Sequence, residues 1–125
     1  MQLTLENPDF RYLLRGADGA SALVNERRLE RSFILSPAQL IEDWAPGDVT
    51  RLQPADLEPA LALAPAVLLL GTGERLRFPA PAVLAACLTR GVGIEAMDNA
   101  AAARTFNVLA SEGRRVVAAF LLAGA

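Results

Sequence analysis

The chain has 125 residues, 53% of them hydrophobic and 21% charged, with a formal net charge of −2. That length suits one domain that buries about two-thirds of its unfolded surface without help from a metal or disulfide, and the composition argues against disorder. The charge offers no excess of positive groups to nucleic acid or anionic lipid, the lack of histidine removes the usual general base and the commonest metal ligand, and the single cysteine, Cys87, rules out an internal disulfide.

The first residues, Met1-Gln2-Leu3-Thr4-Leu5-Glu6, carry no base and meet an acid at once, so no signal peptide is expected and the expected compartment is the cytoplasm. The longest apolar stretches, Ala60 to Leu70 and Val116 to Ala123, are too short to span a bilayer. Residues 1–65 hold six arginines against ten acids, while residues 66–125 hold six arginines against four acids. No linker separates the halves, so the chain reads as one domain over residues 1–125 with a β-rich first part.

In that first part Phe10, Tyr12 and Leu14 alternate with Arg11, Leu13 and Arg15, the period of a strand with one exposed face. Asp18-Gly19 supplies a tight turn, and Ala22 to Val24 and Glu30 to Leu35 continue an antiparallel meander. Ser36-Pro37-Ala38-Gln39 has the serine, proline and glutamine of a capped helix start, and Trp44-Ala45-Pro46-Gly47 would end that helix. Leu57 to Leu63 reads as another short helix, capped by Asp56, with Pro59 in its tolerant first turn.

The second part is more regular. Ala66 to Leu70 is an unbroken apolar run ended by Gly71-Thr72-Gly73, as expected of a central strand covered on both faces. Pro79 and Pro81 open a helix that runs to Arg90 and stops at Gly91. Gly93 to Met97 is the next strand, Asp98 caps a helix from Asn99 to Glu112, Gly113 stops it, and Arg115 to Leu122 is a last apolar strand. The order β-α-β-α-β predicts an α/β fold.

The candidate chemistry is sparse. Gly71-Thr72-Gly73 could cradle a phosphate, but Leu76 replaces the third glycine of a dinucleotide loop and Glu74 adds a negative charge, so a plain strand-to-loop turn also fits. Glu95, inside a strand expected to be buried, would need an arginine partner such as Arg104, Arg114 or Arg115. Asp98 fits a helix cap. Arg104, Asn107 and Ser111 form a polar stripe that could line a ligand site or face solvent, with Ala102, Phe106 and Leu109 turned inward and Thr105 bonding back to the helix. Cys87 lies among Val83, Leu84 and Leu88 and reads as core, and Trp44 reads as an anchor beneath its loop.

Four segments occur in order: Leu70 to Gly73, Gly91 to Asp98, Arg104 to Leu109 and Glu112 to Val116. Together they resemble the adipogenesis-associated Mth-type domain family, a domain of unknown function that includes the mitochondrial respiratory complex I assembly factor three. The resemblance covers about residues 66–122. It implies a three-layer α/β/α fold with a mixed central sheet, an added antiparallel β-rich element at the N-terminus and no established enzymatic activity. Its eukaryotic relatives act in complex assembly through protein contacts.

Asn99, Ala103 and Phe106 stand where the family pattern expects threonine, cysteine and tyrosine, which makes redox or acid–base use less expected here. The positions Gly71, Gly73, Glu95, Asp98, Arg104, Thr105 and Asn107 match. The expectation is therefore a non-catalytic interaction or assembly-factor-like module with an unidentified protein partner, homo-oligomerisation left open, and no cofactor, metal or nucleic acid. The alternative is a small-molecule or anion site beyond the strand ends near residues 71–73 and 98–99. The candidate binding residues are Gly71, Thr72, Gly73, Glu95, Asp98, Arg104 and Asn107.

Overall fold

A computed structural model describes residues 11–123. Phe10 and the first six residues, on which two of the expectations above rest, lie outside them. The remaining alternating segment forms β1 (Leu14–Ala17), which pairs antiparallel with β2 (Ala22–Val24), and β2 with β3 (Arg27–Leu29). The expected meander is thus a separate three-stranded sheet. Asp18 closes its first turn, accepting the N–H groups of Ala20 and Ser21 at 2.8 Å each. Gly19 is needed there for space: a Cβ on it would lie 2.8 Å from Glu74 Cβ.

The segment from Glu30 to Leu35 is not one strand. The chain turns a corner at Ser32, whose buried hydroxyl accepts the Leu122 N–H at 2.9 Å. β4 (Phe33–Leu35) then joins a second sheet. No helix follows it. Ser36 Oγ accepts the Gln39 N–H at 3.0 Å, and Ser36 N–H donates to the Gln39 carbonyl at 2.8 Å. Those bonds close a hairpin between β4 and β5 (Leu40–Ile41), so the serine that resembled a helix cap instead holds a turn. Farther on, a 3-10 turn over Pro54–Leu57 leads into the single-turn α1 (Glu58–Leu61). Asp56 is not its cap; it accepts the Gln53 N–H at 2.7 Å. Trp44 is buried and donates its indole N–H to the Asp56 carbonyl at 2.7 Å, which fixes this loop to the core.

The rest follows the apolar runs. β6 (Val67–Gly71), α2 (Pro81–Leu88), β7 (Gly93–Met97), α3 (Asn99–Ser111) and β8 (Val116–Phe120) complete the molecule. Pro79 lies buried just ahead of α2 rather than inside it. The large sheet has the order β5-β4-β8-β6-β7. β6 is parallel to both β7 and β8, while β4 runs antiparallel to β8, giving a mixed sheet.

Alternation along β6 sends Leu68 and Leu70 to one face and Leu69 to the other. On Leu69's side α3 and the three-stranded sheet cover it through Phe106, Ala102, Leu14 and Val24, with Phe33 stacked on Phe120 at 5.0 Å between ring centroids. On the other side lie α1 and α2, with Leu57, Leu61, Val83 and Cys87. The crossovers leave β6 and β7 in opposite directions, so right-handed connections put α2 and α3 on opposite faces.

One expectation fails in an informative way. Glu95 is exposed on β7, which has β6 as its one strand neighbour among the described residues. Among the described residues Glu95 forms no ion pair. The ion pairs that do form, Arg27–Glu42, Arg28–Glu30 and Arg90–Glu58, join exposed side chains, where each contributes little.

Candidate functional site

In an open α/β sheet, ligands gather beyond the carboxyl ends of the strands, where neighbouring crossovers part to opposite faces. Here that place lies between the ends of β6 and β7. The loop after β6 is wound around Thr72. Its N–H donates to the Met97 carbonyl at 2.8 Å. Its hydroxyl donates to the Arg75 carbonyl at 2.6 Å and accepts the Arg77 N–H at 3.0 Å. Asn99 N–H donates to the Gly73 carbonyl at 2.8 Å, so the two loops are stitched by main-chain bonds.

Asn99 does more than begin α3. Its side chain is fully buried. Oδ1 accepts the Gly73 N–H at 3.1 Å, while Nδ2 donates to the carbonyls of Asp18 at 2.8 Å and Leu121 at 2.9 Å. One amide therefore ties together the β6 loop, the β1–β2 turn and the end of β8. Gly71 makes the approach feasible: a Cβ there would overlap Asn99 Oδ1 and lie 2.9 Å from Phe120 Cδ1. The sequence places Asn99 with Asp98 at the strand ends but does not show this side-chain role, because the residue after a cap is ordinarily only the first helical residue. Its signal was an amide directly after an aspartate cap at the end of a parallel strand.

Asp98 caps α3, accepting the Ala101 N–H at 2.8 Å. Gly71, Thr72, Gly73 and Asp98 thus meet at one end of the sheet. Beside them opens a groove of about 640 Å³ lined by Thr72, Gly73, Glu74, Arg75, Arg77 and Asp48. Its charges are mixed. The Thr50 hydroxyl, followed by backbone N–H groups, holds the Asp48 carboxyl below its ordinary value. The Gly73 N–H is already committed to Asn99, so a ligand in this groove would meet side chains rather than a glycine cradle. Next to the groove, residues 74–78 are all exposed, and Phe78 reaches 73% exposure.

Arg104 and Asn107 belong elsewhere, one to two turns along α3. Arg104 is exposed; Asn107 is half-buried against β1 and donates from Nδ2 to the Leu14 carbonyl at 2.6 Å. The stripe is therefore not a uniform solvent face. Thr105 bonds back to the Ala101 carbonyl at 2.9 Å, and Ser111 to the Val108 carbonyl at 2.8 Å. Glu95, in mid-strand on the sheet edge, joins neither group. Burial pushes the Cys87 thiol up and away from the reactive thiolate. Among the described residues no three His, Cys, Asp or Glu side chains gather to hold a metal, and no helix is long and apolar enough to cross a membrane.

The fold and this closed crevice define a small mixed-sheet α/β domain of the Mth type. The chain belongs to the family described as protein of unknown function (DUF498/DUF598), whose model matches residues 15–121. It is similar to a Xanthomonas campestris protein solved by NMR, at 60% identity and a TM-score of 0.85, covering 99% of this chain and 94% of that one. A Bordetella pertussis Mth938-like domain is 32% identical with a TM-score of 0.77, covering 90% of this chain and 87% of that one. A Francisella tularensis protein named 13 kDa major membrane protein is 27% identical over 95 residues, 75% of this chain and 77% of its own length.

Proposed function

We propose that this chain works by binding, as a non-catalytic protein-interaction module in the manner of an assembly factor, and that it does so in the cytoplasm as a single domain. The observation that carries the reading is the loop of residues 74–78. It sets Phe78 and Leu76, 73% and 49% exposed, in alternation with Arg75 and Arg77. Aromatic and arginine side chains dominate the energy of protein contacts. The loop is also braced at one end by the Thr72 hydroxyl and at the other by buried Pro79, so little order would be lost on binding.

The test is photo-crosslinking in cells with p-benzoyl-phenylalanine at position 78 and, separately, at exposed Glu112 as a control. A discrete adduct from position 78 and none from 112 supports the reading. Equal, diffuse adducts from both, or none from either, refute it.

A second reading has one specific observation in its favour. Arg75 and Arg77 line the groove at the strand ends near residues 71–73 and 98–99, where an anion could be held by guanidinium groups. Thermal-shift titration with phosphate, citrate and nucleotides tests it; saturable stabilisation lost in Arg77→Gln supports an anion site, and a flat screen rejects it.

A further inference from the structure

The opposite end of the sheet, where the parallel strands begin, gathers arginines instead. Ala66, Val92 and Arg115 stand just before β6, β7 and β8. All three line a groove of about 410 Å³, together with Arg90 and Pro65. Leu61 and Val92, both buried, give it an apolar floor. No carboxylate lines it. None lines the neighbouring groove of about 310 Å³, which shares Pro65 and Arg115 and adds Arg114. The carboxyl end of the strands, with Asp48, Glu74 and Asp98, is mixed by comparison.

Each guanidinium is held at one point and open elsewhere. Arg115 donates from Nε to the Ala64 carbonyl at 3.2 Å. Arg90 donates from Nη1 to both Glu58 oxygens at 2.9 Å. Among the described residues Arg115 Nη1 and Nη2, and Arg90 Nε and Nη2, have no acceptor. Both forks are thus oriented in advance, which lowers the entropy lost on binding.

An arginine beside a helix end ordinarily serves the carbonyls there. Those of α2 are already met. Ala85 and Ala86 accept the Thr89 N–H and hydroxyl, Cys87 accepts the N–H groups of Arg90 and Val92, and Leu88 accepts that of Gly91. Glu95, the acid that the sequence offered to Arg115, forms no ion pair among the described residues. Neither local role accounts for the free donors.

The occupant's chemistry follows from charge and size. Planar guanidinium forks lining one acid-free groove suit a doubly charged oxyanion. The volume lies within the range of small-molecule sites, about 300–1,000 Å³, and the floor accepts an apolar body. We propose that the groove at the amino ends of β6 and β7 binds a small organic phosphate monoester. Arg90 and Arg115 hold its phosphate, and its apolar part covers Leu61 and Val92. This site is separate from the loop and groove at the carboxyl ends.

The test titrates ¹⁵N-labelled protein with phenyl phosphate, inorganic phosphate and acetate at one ionic strength, at about pH 7.5, where the monoester carries about two charges. Phenyl phosphate should saturably shift the Gly91 and Val92 amides and the Nε–H signals of Arg90 and Arg115. Inorganic phosphate should move the same signals but bind about tenfold more weakly, because it buries no apolar surface. Acetate, singly charged, should not saturate. Arg90→Gln and Arg115→Gln, both at exposed positions, should leave the rest of the spectrum unchanged and each weaken phenyl phosphate about tenfold.

No saturable shift with either phosphate, equal binding of the two, saturation by acetate, shifts centred on residues 72–77, or full affinity in the folded variants would each overturn the proposal. The wild-type Nε–H signals decide the case if a variant fails to fold. The crosslink at position 78 reads the other end of the sheet, so either result leaves the other standing.

Discussion

Replacing Asn99 with alanine tests the closed crevice most directly. The change strands one donor, the Gly73 N–H, and two acceptors, the carbonyls of Asp18 and Leu121. The Leu121 bond is fully buried, so its loss costs about 2 kcal/mol; the two part-buried bonds cost about 1 kcal/mol each, for a total of about 4 kcal/mol. In a domain of this size that is a fall in melting temperature of about 15 °C. Urea denaturation should show a lower midpoint at an unchanged slope, because the surface exposed on unfolding is the same. Asn99→Asp is the sharper control. It keeps an acceptor for Gly73 but turns a carboxylate onto two carbonyls, so it should be less stable than Asn99→Ala at neutral pH and recover part of the loss in acid, once protonated. A melting temperature within about 3 °C of wild type for Asn99→Ala would show that water replaces the amide, and the account of the crevice would be wrong.

Three more expectations can be measured alongside. Gly71→Ala should cost about 3 kcal/mol by overlap with Asn99 and Phe120, and a neutral result would mean that the β6 end shifts freely. Glu95→Ala should change stability by less than about 0.5 kcal/mol, since the carboxylate is exposed and unpaired; a large loss by urea titration would restore the buried-pair expectation. The third concerns acid. The Arg27 guanidinium holds Glu42 below 4.5, and backbone N–H groups of Ala20 and Ser21 hold Asp18 below 3.8. Lowered folded pKa values contribute stability above the unfolded values and lose it as pH falls through the folded ones. Melting temperature should thus be level above about pH 5 and decline below about pH 4; a flat profile in acid would contradict it.

Local signals carried the second half of the chain. The unbroken run 66–70, the Asp98 cap and the stop at Gly113, whose φ is +76°, each depend on neighbours in sequence, and the elements fall where they indicate. Errors arose where one local pattern serves two structures. Ser36 and Gln39 make the same serine-to-amide bond in a hairpin turn as in a helix start, and only pairing with β8 selects the turn. Strand order was equally hidden. β7 is as apolar as an inner strand apart from Glu95, yet the crossover by α3 passes over β6 and leaves it outermost. The candidate residues were legible as types but not as groups. Arg104 and Asn107 meet Arg15 and Gly16 across about ninety residues of chain, a proximity no spacing rule reports.

The outermost position of β7 has a consequence for the protein in concentrated solution. A strand edge is a template on which further chains can add; that of β7 has no strand on it among the described residues, and Gly93-Ile94-Glu95-Ala96-Met97 holds a single charge at its centre. Two copies meeting in antiparallel register about that centre would set carboxylate against carboxylate, which disfavours the pairing. On that geometry Glu95 would oppose edge-to-edge pairing of two copies while adding little to the stability of a single folded chain. A chain lacking that charge would melt normally when dilute, yet assemble edge to edge as its concentration rose.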